Sequence, residues 1–145
     1  MPQAMAKRAS TSMSRDYCRA VSILARVLQL DHVTAVVADV VAQLVFVTIG
    51  LLNHDGGISA ADYARDAIPF VGCWLLAGGA FDLYKQPRLR ALLATWLLGV
   101  TAGVLLRALV RWHIDGGDAV FLAVGLCFTL LFVVAARIAA SFLRT

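Results

Sequence analysis

Asp39 and Arg107 are the residues of this chain best placed to do chemistry, because each interrupts a long apolar run. A charge near the centre of a membrane helix costs about 2.5 to 3.5 kcal/mol on insertion scales and must face protein or water. At helical spacing Asp39, Gln43, Phe46, Gly50, Asn53 and His54 fall within about 60° of one line, a polar stripe that cannot face lipid. Further along, Thr95, Gly99, Gly103 and Arg107 recur every four residues. That spacing puts a GxxxG close-packing seam and an arginine on one face of a second apolar segment. The simplest packing sets this seam against the polar stripe. Arg107 is then level with Gly50 to His54, with partners expected among Asn53, His54, Asp55 and Asp115 in an outward-facing pocket; the competing reading is that Arg107 snorkels to the outer interface. Asp39 sits about 9 Å from the inner end, too short to snorkel. Asp82 and Arg137 are candidates for an inner-side ion pair, with Arg137 also within reach of Asp39. Such a pair is either structural, the commoner use in bundles, or a proton or cation site built on Asp39.

Other chemistry is thinly represented. His54, Asp55, His113 and Asp115 are residue types that suit zinc, but their spacing across two loops is weak support, and no metal or other cofactor is expected. No GxSxG, P-loop, GxGxxG or HExxH motif occurs, so no catalytic residue is assigned. Cys18, Cys73 and Cys127 are odd in number and lack CxxC spacing, which argues against a disulfide framework or a zinc site.

The elements that must position these groups follow from composition. Of 145 residues 61% are hydrophobic and 15% charged, with net charge +4; soluble domains carry about 25% charge. The expectation is an all-α integral membrane protein, a four-helix transmembrane bundle. Its spans run over about Val33 to Leu52, Ile68 to Tyr84, Leu89 to Val110 and Ala119 to Ala136, near the roughly 20 residues that cross a bilayer. Pro69 fits the first turn of the second span. A capping box from Ser59 to Asp62 predicts a short surface helix before it. Residues 1–15 read as a disordered cytoplasmic tail. Residues 16–30 read as an amphipathic interfacial helix, with Tyr17, Val21, Leu24 and Leu28 opposite Arg19, Ser22, Arg26 and Gln29, and residues 31–145 as the four-span domain. Ten of the thirteen basic residues fall on one side of these spans. The positive-inside rule therefore puts both termini in the cytoplasm, in the inner (plasma) membrane. Trp112 and Tyr84 read as interfacial anchors, Trp74 and Trp96 as core packing. The echo of Asn53-His54-Asp55-Gly56-Gly57 in His113-Ile114-Asp115-Gly116-Gly117 is either a duplicated hairpin or a recurrent glycine turn, and the turn is preferred.

Asp39 with Phe46, Gly50 and His54, Ala67-Ile68-Pro69-Phe70 with Gly72 and Trp74, Thr95-Trp96 with Gly99, Gly103 and Arg107, and Phe121 with Arg137 together carry a family likeness. From Asp39 to Arg137 the chain resembles the short prokaryotic membrane proteins grouped as domain of unknown function 3054. That resemblance implies a polytopic membrane protein and no particular activity. The function expected first is a transport or permeation unit for a small solute or ion. An accessory or assembly subunit of a larger membrane complex comes second and a lipid-modifying enzyme third. The expected partners are the lipid bilayer and a second copy or larger membrane complex, not nucleic acid.

Overall fold

A computed structural model describes residue 18, residues 21–23, residue 25 and residues 27–52, 59–111 and 116–143. Four helices carry the fold: α1 (His32–Leu52), α2 (Ala60–Ala80), α3 (Leu89–Arg111) and α4 (Gly116–Phe142). Among the described residues there is no strand. At 1.5 Å per residue, the 21 residues of α1 extend about 30 Å, the thickness of a bilayer's hydrocarbon core. α1, Leu89–Val110 and Ala119–Phe142 are long and apolar enough to cross a membrane.

Large apolar side chains cover much of the described surface, and several polar groups lie in the core. Val33, Val37, Val41, Val45 and Ile49 are exposed along one side of α1, while Asp39, Gln43, Asp66, Thr95, Arg107, Thr129 and Arg137 are buried. This distribution suits an apolar surrounding, where it is the polar groups that must be hidden.

α2 departs most from expectation. Ser59 caps it, its hydroxyl accepting from the Asp62 amide at 3.1 Å, but no separate surface helix follows. The helix runs on unbroken for 21 residues, so Pro69 lies in its interior, where it has no N–H to offer the Arg65 carbonyl. With Asp62, Arg65 and Asp66 inside it, α2 is not among the helices apolar enough to cross by composition. It also stops short of Tyr84. Leu83 donates to the Gly78 carbonyl at 2.9 Å and Asp82 to that of Gly79 at 3.3 Å, while Asp82 adopts φ 52°. These two bonds with a left-handed residue between them form a Schellman stop. The turn buries Leu83 and sends Tyr84 back into the protein.

The helices pack in ring order, α1 on α2, α2 on α3, α3 on α4 and α4 on α1, with α2 and α3 the most extensive pairing. The glycine seam explains that pairing and corrects its expected partner: it faces α2, not the polar stripe of α1. A Cβ at Gly99 would lie 3.2 Å from the Trp74 Cα, and one at Gly103 3.3 Å from the Phe70 Cα. Only glycine lets the two backbones approach so closely. α4 buries Gly125, Thr129, Val133 and Arg137 at four-residue spacing, and the Trp96 indole ties α3 to it through the Leu126 carbonyl at 2.8 Å. Ahead of α1, residues 21–23, 25, 27 and 28 are helical. Val27 is buried and Leu28 packs on the core, whereas Val21, expected on the apolar face, is exposed. Tyr17, Arg19, Leu24 and Arg26 lie outside the described residues.

Candidate functional site

Asp39 is the centre of the strongest polar constellation. The spacing of α1 turns it inward with Ala35, Ala38, Ala42 and Gln43, and its exposure is 0%. Arg137 of α4 grips both carboxylate oxygens, Nε to Oδ1 at 2.7 Å and Nη2 to Oδ2 at 2.6 Å. Trp74 Nε1 of α2 and the Tyr84 hydroxyl each donate to Oδ2 at 3.1 Å, and Trp74 Nε1 also lies 3.1 Å from the Tyr84 oxygen. Burial, with the Asp39 carboxylate adding to it, pushes the Tyr84 phenol up, so it stays a donor. A carboxylate held by a bidentate guanidinium and two further donors is fully satisfied, the condition under which a buried ion pair is tolerated. Arg137 thus takes Asp39 as its partner, not Asp82. Asp82 is committed to the turn after α2, with its carboxylate 3.5 Å from the exposed Lys85 ammonium.

A second pair lies nearer the other end. Arg107 Nε meets Asp66 Oδ1 at 2.7 Å and Nη2 meets Oδ2 at 3.3 Å, both side chains buried. The guanidinium carbon sits 4.1 Å from the centre of the Phe121 ring, a cation–π contact. Arg107 therefore does not snorkel: among the described residues its carboxylate partner is Asp66. Asp66, assigned by sequence to a linker, reaches it because α2 begins two turns earlier than the apolar run does. Asn53, His54, Asp55, His113 and Asp115 lie outside the described residues.

On α2, Asp66 and Trp74 are eight residues apart, which separates the two pairs by about 12 Å along the axis. An aromatic layer fills the gap. Phe46, Phe70 and Phe121, from α1, α2 and α4, stand with ring centres 5.5 to 6.2 Å apart. Beside it a void of about 10 Å³, lined by Asp66, Arg107 and the three rings, has room for a single water. Gln43, one turn from Asp39, is buried with neither amide atom hydrogen-bonded, and the Thr95 hydroxyl is likewise unpartnered.

At the His32 end an open vestibule of about 680 Å³ lies between α1 and α2, lined by Val36, Leu75, Gly78 and Gly79 and rimmed by His32, Asp82, Tyr84 and Lys85. Tyr84 belongs both to this wall and to the Asp39 centre. Its ring seats against Gly78, where a Cβ would come within 2.6 Å of Cε2.

Sequence reasoning missed Asp66, Trp74 and Tyr84 as members of these constellations. Asp66, Phe70, Trp74 and Gly78 nonetheless follow one another at intervals of four. Continuing the Ser59-capped helix through Pro69 puts all four on one face. Tyr84 left no comparable mark, because the reversal at Asp82 aims it.

No curated protein and no solved structure matches the chain. Residues 36–140, which include Asp39, Asp66, Arg107 and Arg137, match the model of the family described as Protein of unknown function (DUF3054), and the chain belongs to that family.

Proposed function

We propose that this chain is a four-span protein of the inner (plasma) membrane, both termini cytoplasmic, that works as a transport or permeation unit for a small solute or ion in a closed state. α2 is its fourth span, its charges hidden in pairs or spent at its end. The segment before α1 lies along the inner interface, where anionic lipid favours its arginines. The observation that carries the reading is the position of Tyr84. One phenol separates an open vestibule from a buried carboxylate that Arg137 neutralises, an access route that a purely structural pair has no need of. A proton or cation arriving at Asp39 competes with Arg137 for it and loosens α4 from α1, while the aromatic layer and the Asp66–Arg107 pair keep the far end shut.

The test is proton flux into liposomes holding an entrapped pH-sensitive dye. Wild-type protein is expected to conduct and the paired Asp39→Asn/Arg137→Gln variant to lose flux while keeping its elution profile in detergent. No flux from the wild type, or equal flux from the pair, overturns the proposal. The second reading, an accessory subunit of a larger membrane complex, rests on the full pairing of both buried arginines. Recovery of a stoichiometric larger complex in mild detergent, with no flux, decides for it.

A further inference from the structure

We propose that the vestibule at the His32 end seats an anionic phospholipid, its phosphate at the rim and the upper part of one acyl chain against the apolar wall. It concerns the same vestibule as the transport reading but rests on its apolar wall and charged rim, not on Asp39. The wall and the rim divide as a lipid does. Val36, Leu75, Gly78 and Gly79 give an apolar lining, while His32, Lys85 and Asp82 give polar groups at the mouth. The wall continues into surface that must itself face acyl chains, since Val33, Val37 and Leu76 on the adjoining faces are exposed. A chain can therefore enter sideways without crossing a polar barrier.

Charge selects the headgroup. The turn from Asp82 to Arg90 carries Lys85, Arg88 and Arg90 against the single carboxylate of Asp82, and all three cations are exposed. The Lys85 side chain is 83% exposed and its ammonium only loosely held, 3.5 Å from Asp82, so it can swing to a phosphate. This turn lies beside the first residue of α1, where the apolar stretch of that helix begins, which is the depth of lipid phosphates. Basic pockets between membrane helices at that depth are a recurrent site for anionic headgroups. Free phosphate shares the headgroup chemistry but has no use for the apolar wall.

Thermal unfolding in a neutral maltoside detergent tests this, with phosphatidylglycerol, phosphatidylcholine or sodium phosphate added. A ligand that binds only the folded state raises the midpoint, by more the further its concentration exceeds its dissociation constant. Phosphatidylglycerol is expected to raise it at concentrations at least tenfold below those at which phosphatidylcholine does, and sodium phosphate to have no effect. The preference should disappear in Lys85→Gln/His32→Gln. It should also disappear in Gly79→Leu, whose side chain grows into the vestibule, because a Cβ at Gly79 meets nothing within 4 Å. Equal action of the two lipids, reproduction of the shift by sodium phosphate, or survival of the preference in Gly79→Leu overturns the proposal. Any of these leaves the flux result of Asp39→Asn/Arg137→Gln unaffected, so the two readings fail separately.

Discussion

Gly78→Ala, one methyl group, should disconnect Tyr84 from the Asp39 centre. The new Cβ would lie 2.6 Å from Tyr84 Cε2, 3.1 Å from Cζ and 3.2 Å from the hydroxyl oxygen. Ordinary carbon contacts need 3.5 to 4.0 Å, so the ring must retreat by about 1 Å. That movement carries the hydroxyl from 3.1 Å beyond hydrogen-bonding range of Asp39 Oδ2. A hydrogen bond to a charged acceptor contributes about 1.5 to 3 kcal/mol. Trp74 keeps Asp39 as its acceptor, so its bond survives, and replacing a helical glycine with alanine returns about 0.8 to 1 kcal/mol. The net expectation is a destabilisation of about 1 to 2 kcal/mol. Gly79→Ala supplies the control: its Cβ meets nothing within 4 Å, so it should show only the stabilising helix term. Thermal unfolding in detergent reads both. On a Tyr84→Phe background, where the hydroxyl is already gone, the cost of Gly78→Ala should shrink, because residues sharing one contact are not additive. Equal midpoints for the two alanine variants, or full additivity with Tyr84→Phe, would refute the seating of Tyr84 on Gly78.

Two further outcomes follow from the packing. Asp39→Asn leaves the Arg137 guanidinium buried without its counter-ion, a loss of about 3 to 5 kcal/mol, whereas adding Arg137→Gln should restore most of it; unfolding midpoints of the two singles and the double complete the cycle, and an additive double would count against the pair. Gly103→Leu forces a side chain against the Phe70 backbone, 3.3 Å from the would-be Cβ, and should cost at least the 1 to 3 kcal/mol typical of overpacking. Gly72→Ala, which meets nothing within 4 Å on the same α2, should be tolerated, and similar thermal shifts for the two would show that the seam does not hold α2 to α3.

Two buried ion pairs among the described residues divide the labour of assembly. Asp39–Arg137 joins α1 to α4, Asp66–Arg107 joins α2 to α3, and Trp74 with Tyr84 ties the first pair to α2. In an apolar surrounding there is little hydrophobic gain from helix on helix, so close glycine packing and buried polar bonds carry the association. Each pair also fixes register, since a slip of one turn along either helix leaves two charges unpaired.

What the sequence by itself determined was the apolar length of the helices and the face each turns inward. Apolar runs long enough to cross a bilayer, the four-residue recurrence of Asp39 with Gln43, and the seam of Gly99, Gly103 and Arg107 follow from helical periodicity alone, because each is a property of one helix. The family likeness was legible in the same way, from residues read along the chain. The partners were not. The glycine seam packs on α2 because the approach of two backbones depends on both surfaces, and its own spacing says nothing about which helix answers it. Pro69 read as a helix start, yet α2 runs through it from the Ser59 cap, and that continuity brings Asp66 to Arg107. Arg137 finds Asp39 from 98 residues away, and Tyr84 finds it through a left-handed turn at a non-glycine residue. Periodicity fixes which side of a helix turns inward; only the packed arrangement decides what it meets there, because a buried charge must be matched by whatever donor the neighbouring helices bring to the same depth.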